Sequence, residues 1–306
     1  MKFLTSLVVT MLFSITAMAD IAFKNGDKVA FLGDSITYLG AVYPSGYCRL
    51  VEKALEWKGI KCDMVYAGIS GHKSNQMLER LDRDVLAHKP QWMFLSCGVN
   101  DVWHGENGVP LPQYKENITK LVEKAQAAGV NVIILASTLI GEDLNGDNNR
   151  KLNEYNDFLK TLAAEKKLPF VDLNSVMKQR INALEAKGRT PGTLLTVDGV
   201  HMNPAGNMIM AEGILKTIGF TDGDMAETVE KWQAMPAAWP VRGQADISVG
   251  QWLMLESKAA KEGLTIDQYL NRLFQETLAN IEHRCTGDRC QREAPFSGLY
   301  RRTYTF

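Results

Sequence analysis

The sequence predicts an α/β fold: a three-layer α/β/α sandwich around a five-stranded parallel sheet, with a C-terminal helical extension. Three observations predict it. Five short apolar runs alternate with amphipathic stretches between residues 28 and 219. The apolar runs carry few internal polar residues, as strands buried on both faces do. Glycines such as Gly59 and Gly129 close helical stretches just before the next strand. Strands that alternate with helices need right-handed crossovers, which place helices on both faces of one parallel sheet.

The elements follow in order. Residues 28–33 read as the first strand. Residues 45–58 carry Tyr47, Leu50, Val51, Ala54 and Leu55 at helical spacing, and 64–68 form a second strand. A helix over 75–87 is marked by Met77, Leu78, Leu81, Val85 and Leu86, and 91–96 form the third strand. A helix over 113–128 leads to a strand at 131–136. A helix over 149–166, with Leu152, Tyr155, Leu159 and Leu162 on one face, leads to a fifth strand at 169–173. The last helix of the set, 204–218, has Asn203 as N-cap and Pro204 at its first position.

Residues 1–19 have a positive Lys2, an apolar stretch from Phe3 to Ile15, and the small-residue site Ala17-Met18-Ala19. These are the three parts of a secretory signal. The apolar stretch is short of the ~20 residues a spanning helix needs, so a membrane anchor is the weaker reading. The expected domains are a signal peptide over 1–19, an α/β domain over 20–221 and a mostly helical extension over 222–306. The mature protein is expected to be exported, periplasmic or secreted, without stable membrane insertion.

Lys and Arg number 34 against 35 Asp and Glu, a net charge of −1. No global basic field exists to attract nucleic acid or anionic lipid. Hydrophobic content of 45% and charged content of 23% exclude a disordered chain. The 5 cysteines form no C-x-x-C pair or Cys/His cluster, so no metal is expected. Cys48, Cys62 and Cys97 read as buried hydrophobes, while Cys285 and Cys290 flank a short polar turn and are candidates for a disulfide.

The extension over 222–306 contains Trp232, Pro236, Trp239 and Pro240, which read as an irregular connector, then helices over 248–260 and 265–282 around Gly263. Its strand-helix-helix pattern from Asp246 is similar to ribbon-helix-helix modules, which bind DNA. With 10 basic and 12 acidic residues it lacks a DNA-facing balance. No nucleic-acid partner is expected.

Polar motifs fall where strands end, and in parallel sheets the carboxyl ends of strands form the ligand site. Gly33-Asp34-Ser35 follows the first strand and offers a serine hydroxyl. A serine nucleophile needs a base. Of the 5 histidines, His72, His88 and His283 lie in polar segments and read as surface residues. His201 stands three residues after Asp198, a spacing at which a carboxylate in a turn can hold the imidazole. A tetrahedral intermediate needs hydrogen-bond donors for its oxyanion. Gly71, after the second strand, offers a backbone N–H, and Asn100, after the third, a side-chain amide.

These four segments, in this order, resemble the four blocks of the SGNH hydrolases, the GDSL-type esterases and lipases. Gly33-Asp34-Ser35 matches the nucleophile block, with Ile36 in place of the usual leucine. Ile69-Ser70-Gly71 matches the glycine block, Gly98-x-Asn100-Asp101 the asparagine block, and Asp198-x-x-His201 the acid–base block. The resemblance spans residues 27–219. It implies a flavodoxin-like sheet and a carboxylic ester hydrolase that uses no metal or organic cofactor. It implies that Ser35 attacks an ester carbonyl, that His201 acts as base and then acid, and that Asp198 orients His201. The N–H groups of Ser35 and Gly71 and the amide of Asn100 would form the oxyanion hole. Asp34 and Asp101 would be structural.

The expected substrate is a small-molecule or glycan ester, with O-acetyl groups on carbohydrate first. Alternatives are a lipid or short-chain acyl esterase, or a non-catalytic glycan-binding protein on the same fold. Tyr38, Tyr43, Trp103 and His104 follow the catalytic blocks and are candidates for the substrate pocket. The polar run 142–149 resembles a calcium loop only loosely, and is expected to be a solvated loop that caps the next helix.

Overall fold

The computed structural model describes residues 22–235 and 249–285. They divide between two compact units, residues 1–239 and 240–306.

The first unit is built on five parallel strands: β1 (Lys28–Gly33), β2 (Asp63–Gly68), β3 (Trp92–Ser96), β4 (Asn131–Leu135) and β5 (Phe170–Val171), in spatial order β2-β1-β3-β4-β5. The chain moves outwards from β1 to β2, then returns across β1 to β3. That reversal makes the carboxyl ends of β1 and β3 a topological switch point, where ligand sites form. The inner strands β1, β3 and β4 are apolar because both faces are covered: Val29, Ala30, Phe31 and Leu32 are fully buried, whereas the edge strand β2 is only partly buried. The helices are α1 (Ser35–Val42), α2 (Tyr47–Trp57), α3 (Ser74–Asp84), α4 (Val99–Trp103), α5 (Leu111–Ala127), α6 (Asp147–Lys166), α7 (Leu173–Glu185), α8 (Pro204–Thr217) and α9 (Asp222–Gln233). One layer joins α2, α7, α8 and α9, and the other joins α3, α5 and α6. The three-layer sandwich with its five-stranded parallel sheet is as the sequence predicts.

Four helices go beyond the sequence expectation, among them the short α4, which follows Gly98. α1 begins directly at Ser35, because the Asp34 carboxylate caps it by accepting from the Ile36 N–H at 2.9 Å. α7 is capped by Asp172, which accepts from the Ser175 N–H at 3.1 Å. That cap ends β5 after two residues rather than five. α9 takes in Trp232, which the sequence placed in an irregular connector. Thr221 and Asp224 form a reciprocal capping box at its start, and the Trp232 indole N–H donates to the Leu50 carbonyl at 3.2 Å. The α/β unit therefore runs past the boundary expected at residue 221.

In the second unit, α10 (Val249–Lys261) and α11 (Ile266–Cys285) turn about Gly263, whose φ of +68° suits a residue without Cβ. The expected signal peptide over 1–19 lies outside the described residues, as do Cys290 and with it the Cys285–Cys290 pairing. Pro236 and Trp239 and the side chain of His283 lie outside them too. Cys48 and Cys97 are buried, while Cys62 is only partly covered.

Candidate active site

Ser35 occupies the first position of α1, directly after the β1 strand. Its hydroxyl lies 2.8 Å from His201 Nε2. The opposite ring nitrogen, Nδ1, lies 2.6 Å from Asp198 Oδ2. Asp198 Oδ1 also accepts from the backbone N–H groups of Val200 (3.0 Å) and His201 (2.8 Å). Partial burial alone would raise the Asp198 carboxyl. The bonds from the His201 ring and from these two N–H groups outweigh it and hold the carboxyl below its ordinary value. An ionised Asp198 fixes the proton of neutral His201 on Nδ1 and leaves Nε2 free to accept from Ser35.

Asp198 and His201 stand on a stretch without helix or strand between Glu185 and Pro204. Glu142 holds this stretch in place. Its carboxylate accepts from the backbone N–H groups of Gly192, Leu194 and Leu195 at 2.7 Å and of Thr196 at 3.0 Å, and from the Thr196 hydroxyl at 3.0 Å. Burial would raise this carboxyl too, but the backbone donors outweigh it and lower it. A short hairpin follows: Thr196 bridges Met202, and Val197 N–H donates to the His201 carbonyl at 2.8 Å. Glu142 falls in the run expected to be a solvated loop. That expectation holds for exposed Asp143 and Asn145 but not for Glu142 or Asn149, which are buried. The Asn149 amide bonds to the carbonyls of Ile140, Gly141 and Asp143.

Gly71 sits on the loop after β2, and Asn100 in the first turn of α4, after β3. Gly71 has a φ of +77°, which a residue with Cβ adopts only under strain. Its N–H has no hydrogen-bond partner among the described residues. Gly98, with φ +138°, turns the chain into α4 at a point where a Cβ would collide with the Ser137 hydroxyl. Asn100, 3% exposed, donates one amide hydrogen to the His72 carbonyl at 3.1 Å. Its second amide hydrogen is unengaged among the described residues. Ser35, Gly71 and Asn100 thus stand on the ends of three adjacent strands, with β1 in the middle.

Two buried carboxyls support this arrangement. Asp34 caps α1, and its burial, with the neighbouring Asp101 adding to it, pushes its carboxyl up to about 6. Asp101 accepts from the Ser74 N–H at 3.0 Å and from the Cys97 thiol at 3.5 Å, tying the Asn100 segment to the start of α3. Burial raises it as well, against the opposing effect of those bonds. Neither aspartate is hydrogen-bonded to Ser35 or His201, in keeping with the structural role expected for both.

Of the expected pocket residues, Tyr38 and Trp103 are exposed, at 47% and 44%, and so is His104. Tyr38 lies one helical turn after Ser35, and Trp103 one turn after Asn100. The Trp103 and His104 rings are 6.1 Å apart. Tyr43 is partly buried. A cavity of about 590 Å³ lies beside the Asp198 segment, with Asp143, Leu144, Asn145, Asn182, Pro191 and Thr193 among its lining residues. His88 is exposed, as expected for a surface residue, but His72 is partly buried and accepts from Arg80. Sequence reading missed Glu142, Arg80 and His72. The first two are charged residues at buried positions, and only the helical spacing of Arg80 from Met77 and Leu81 hints at burial.

A model of the GDSL-like lipase/acylhydrolase family matches residues 31–209, more than half of the chain. The chain belongs to this family. It is a carboxylic ester hydrolase of the SGNH/GDSL type, and this removes the non-catalytic alternative. The esterase is 28% identical over 215 residues to an acetylxylan esterase of Geobacillus stearothermophilus, covering 64% of this chain and 95% of that protein. It is also 28% identical to an isoamyl acetate-hydrolyzing esterase of Saccharomyces cerevisiae, covering 63% of this chain and 86% of that one. The crystal structure of the Geobacillus enzyme aligns with a TM-score of 0.58 at 28% identity, over 65% of this chain and 97% of that one. Further structures of that enzyme carry alanine in place of a serine, an aspartate or a histidine and are described as catalytic mutants. Among the described residues no helix is long and apolar enough to cross a membrane.

Proposed function

We infer that the esterase is exported and removes O-acetyl groups from carbohydrate, with Ser35, His201 and Asp198 as its catalytic residues. The hydrogen-bonded chain from Ser35 Oγ through both nitrogens of His201 to Asp198 carries this reading. Ser35 Oγ attacks the acetyl carbonyl while His201 Nε2 takes its proton. The carbonyl oxygen becomes an oxyanion, which accepts from the N–H groups of Ser35 and Gly71 and from the free amide hydrogen of Asn100. His201 then gives its proton to the sugar oxygen as the C–O bond breaks, leaving acetyl-Ser35. Water, deprotonated by His201, releases acetate and restores the serine.

Carbohydrate is favoured over lipid by the surroundings of the site. The cavity beside Asp198 offers carboxylate, amide and hydroxyl groups from Asp143, Asn145, Asn182, Glu185 and Thr193 that can bond sugar hydroxyls, alongside apolar Leu144 and Pro191. Trp103 and Tyr38 present exposed rings that can pack on a sugar face. The acetylxylan esterase relatives point the same way. Export rests on the signal-like residues 1–19.

The test is acetate release from a panel of acetylated glycans, with p-nitrophenyl acetate and longer acyl esters alongside and the Ser35→Ala protein as blank. Ser35-dependent acetate from a glycan supports the reading. Ser35-dependent turnover confined to longer acyl esters moves the substrate to lipid. Hydrolysis that survives Ser35→Ala overturns the catalytic assignment.

A further inference from the structure

Beneath the strand ends lies a buried cation that the proposed acyl transfer does not use. Arg80 is on the inward stripe of α3, between Met77 and Leu81, and is 4% exposed. Its guanidinium donates to four acceptors. Nη2 reaches the Gly33 carbonyl at 2.9 Å, and Nη1 reaches the Ala67 carbonyl at 2.9 Å and Asp84 Oδ2 at 3.1 Å. Nε reaches His72 Nδ1 at 3.1 Å. Gly33 is the last residue of β1, immediately before Asp34 and Ser35. Ala67 is next to last in β2, immediately before the Gly68–Gly71 turn. His72 follows Gly71, and its carbonyl accepts the Asn100 amide at 3.1 Å. One planar cation therefore touches the roots of the nucleophile turn and the glycine turn, and reaches the asparagine through His72.

We propose that Arg80 and His72 are positioning residues for the oxyanion hole, Arg80 fixing His72 so that the His72 carbonyl aims the Asn100 amide. This rests on the reading of Asn100 as an oxyanion donor. The chemistry of the residues fits. Arg is always a donor, so His72 Nδ1 acts as acceptor and the ring carries its proton on Nε2. Burial, and then the adjacent Arg80 charge, lower the His72 imidazole and keep it in that neutral form. Asn100 has two amide hydrogens, and anchoring one on a fixed carbonyl sets the direction of the other. An oxyanion donor works only when preorganised, and a small misplacement forfeits most of its effect. Lysine at position 80 cannot span the four acceptors that the fork of Arg80 reaches.

The test uses the full-length protein and p-nitrophenyl acetate. Asn100→Ala is expected to lower kcat by about 10²–10³. His72→Ala is expected to lower kcat by about tenfold or more, with KM little changed. His72→Asn, whose Oδ1 sits near the place of Nδ1 and can accept from Arg80, should restore most of that loss. In the Asn100→Ala background, His72→Ala should cost no more than about twofold, because its effect passes through the amide already removed. Arg80→Lys should resemble His72→Ala, and where it fails to fold, the His72 variants carry the test. Wild-type kcat in His72→Ala, equal losses in His72→Ala and His72→Asn, or losses that multiply in the double variant would overturn the proposal. Wild-type kcat in Asn100→Ala would instead remove the oxyanion reading beneath it. A low kcat for Asn100→Ala beside a normal one for His72→Ala leaves that reading intact and removes only the positioning role.

Discussion

Ser35, Gly71 and Asn100 stand on the ends of three hydrogen-bonded strands, whereas Asp198 and His201 stand on a stretch with neither strand nor helix. The two halves meet at one bond of 2.8 Å between Ser35 Oγ and His201 Nε2. On the strand half, position follows from the sheet register: Gly33 pairs with Gly68, and Leu32 with Leu95. Caps and buried charges refine it. On the loop half, Glu142 gathers four backbone N–H groups and a hydroxyl, and the Asn203 amide donates to the carbonyls of Thr193, Leu194 and Thr196. Regular structure satisfies its own backbone hydrogen bonds, but an irregular segment must find partners elsewhere. Here the Glu142 carboxylate accepts from the segment's N–H groups and the Asn203 amide donates to its carbonyls.

The largest expected effect comes from breaking the link between the halves. His201→Ala should lower ester hydrolysis by about 10⁴–10⁶. The side chain lies at the site edge, so its thermal midpoint should move by only a few degrees. Near-normal turnover in this variant would take His201 out of the reaction.

The loop half should yield more readily to a single change than the strand half. In Glu142→Gln a neutral amide faces donors that now bond to a carboxylate. Stability should fall by about 3 kcal/mol, with kcat down tenfold or more as Asp198 and His201 lose their frame. Urea unfolding and steady-state kinetics read both. A variant equal to the wild type in both would mean that the hairpin from Thr196 to Met202 holds itself.

The strand half carries a cost that pH exposes. The Asp34 carboxyl, at about 6 against an ordinary 3.8, keeps its proton longer in the folded state than in the unfolded one. Stability therefore falls as pH rises from about 4 to about 6, and the full penalty is present above 6. Asp34→Asn keeps an acceptor for the Ile36 N–H without the charge. It should match the wild type below pH 4 and exceed it by about 2–3 kcal/mol above pH 6. A stability difference independent of pH would rule out the buried carboxyl as its source.

The smallest effect sharpens the account of substrate. Trp103→Ala should raise KM for an acetylated glycan a few-fold and leave p-nitrophenyl acetate unchanged, with stability altered by less than about 0.5 kcal/mol. Equal changes on both substrates would place the ring against the acetyl group rather than the sugar.

Much of this molecule could be read along the chain. The alternation of apolar runs and amphipathic stretches specifies the five parallel strands, because a strand buried on both faces has no use for polar residues. Four polar motifs, three of them just after strands and the fourth on an irregular stretch, single out Ser35, Gly71, Asn100, Asp198 and His201, because chemistry-bearing residue types at fixed spacings are local information. The caps at Thr221 and Asp172 were also written locally, yet the helices they start were not predicted, since Trp232 read as a connector and Leu173 as the end of a strand. Tertiary structure alone decided the partners of Arg80 and Glu142. Arg80 is a charged residue on the apolar stripe of a helix, Glu142 one in a segment that otherwise reads as a solvated loop, and each has partners far away in sequence. Arg80 reaches Gly33 across 47 positions and Glu142 reaches Thr196 across 54. No local pattern encodes such a pairing. A buried charge is tolerable only where the folded chain delivers enough donors or acceptors to replace water, and that delivery exists only once the strands and loops have come together.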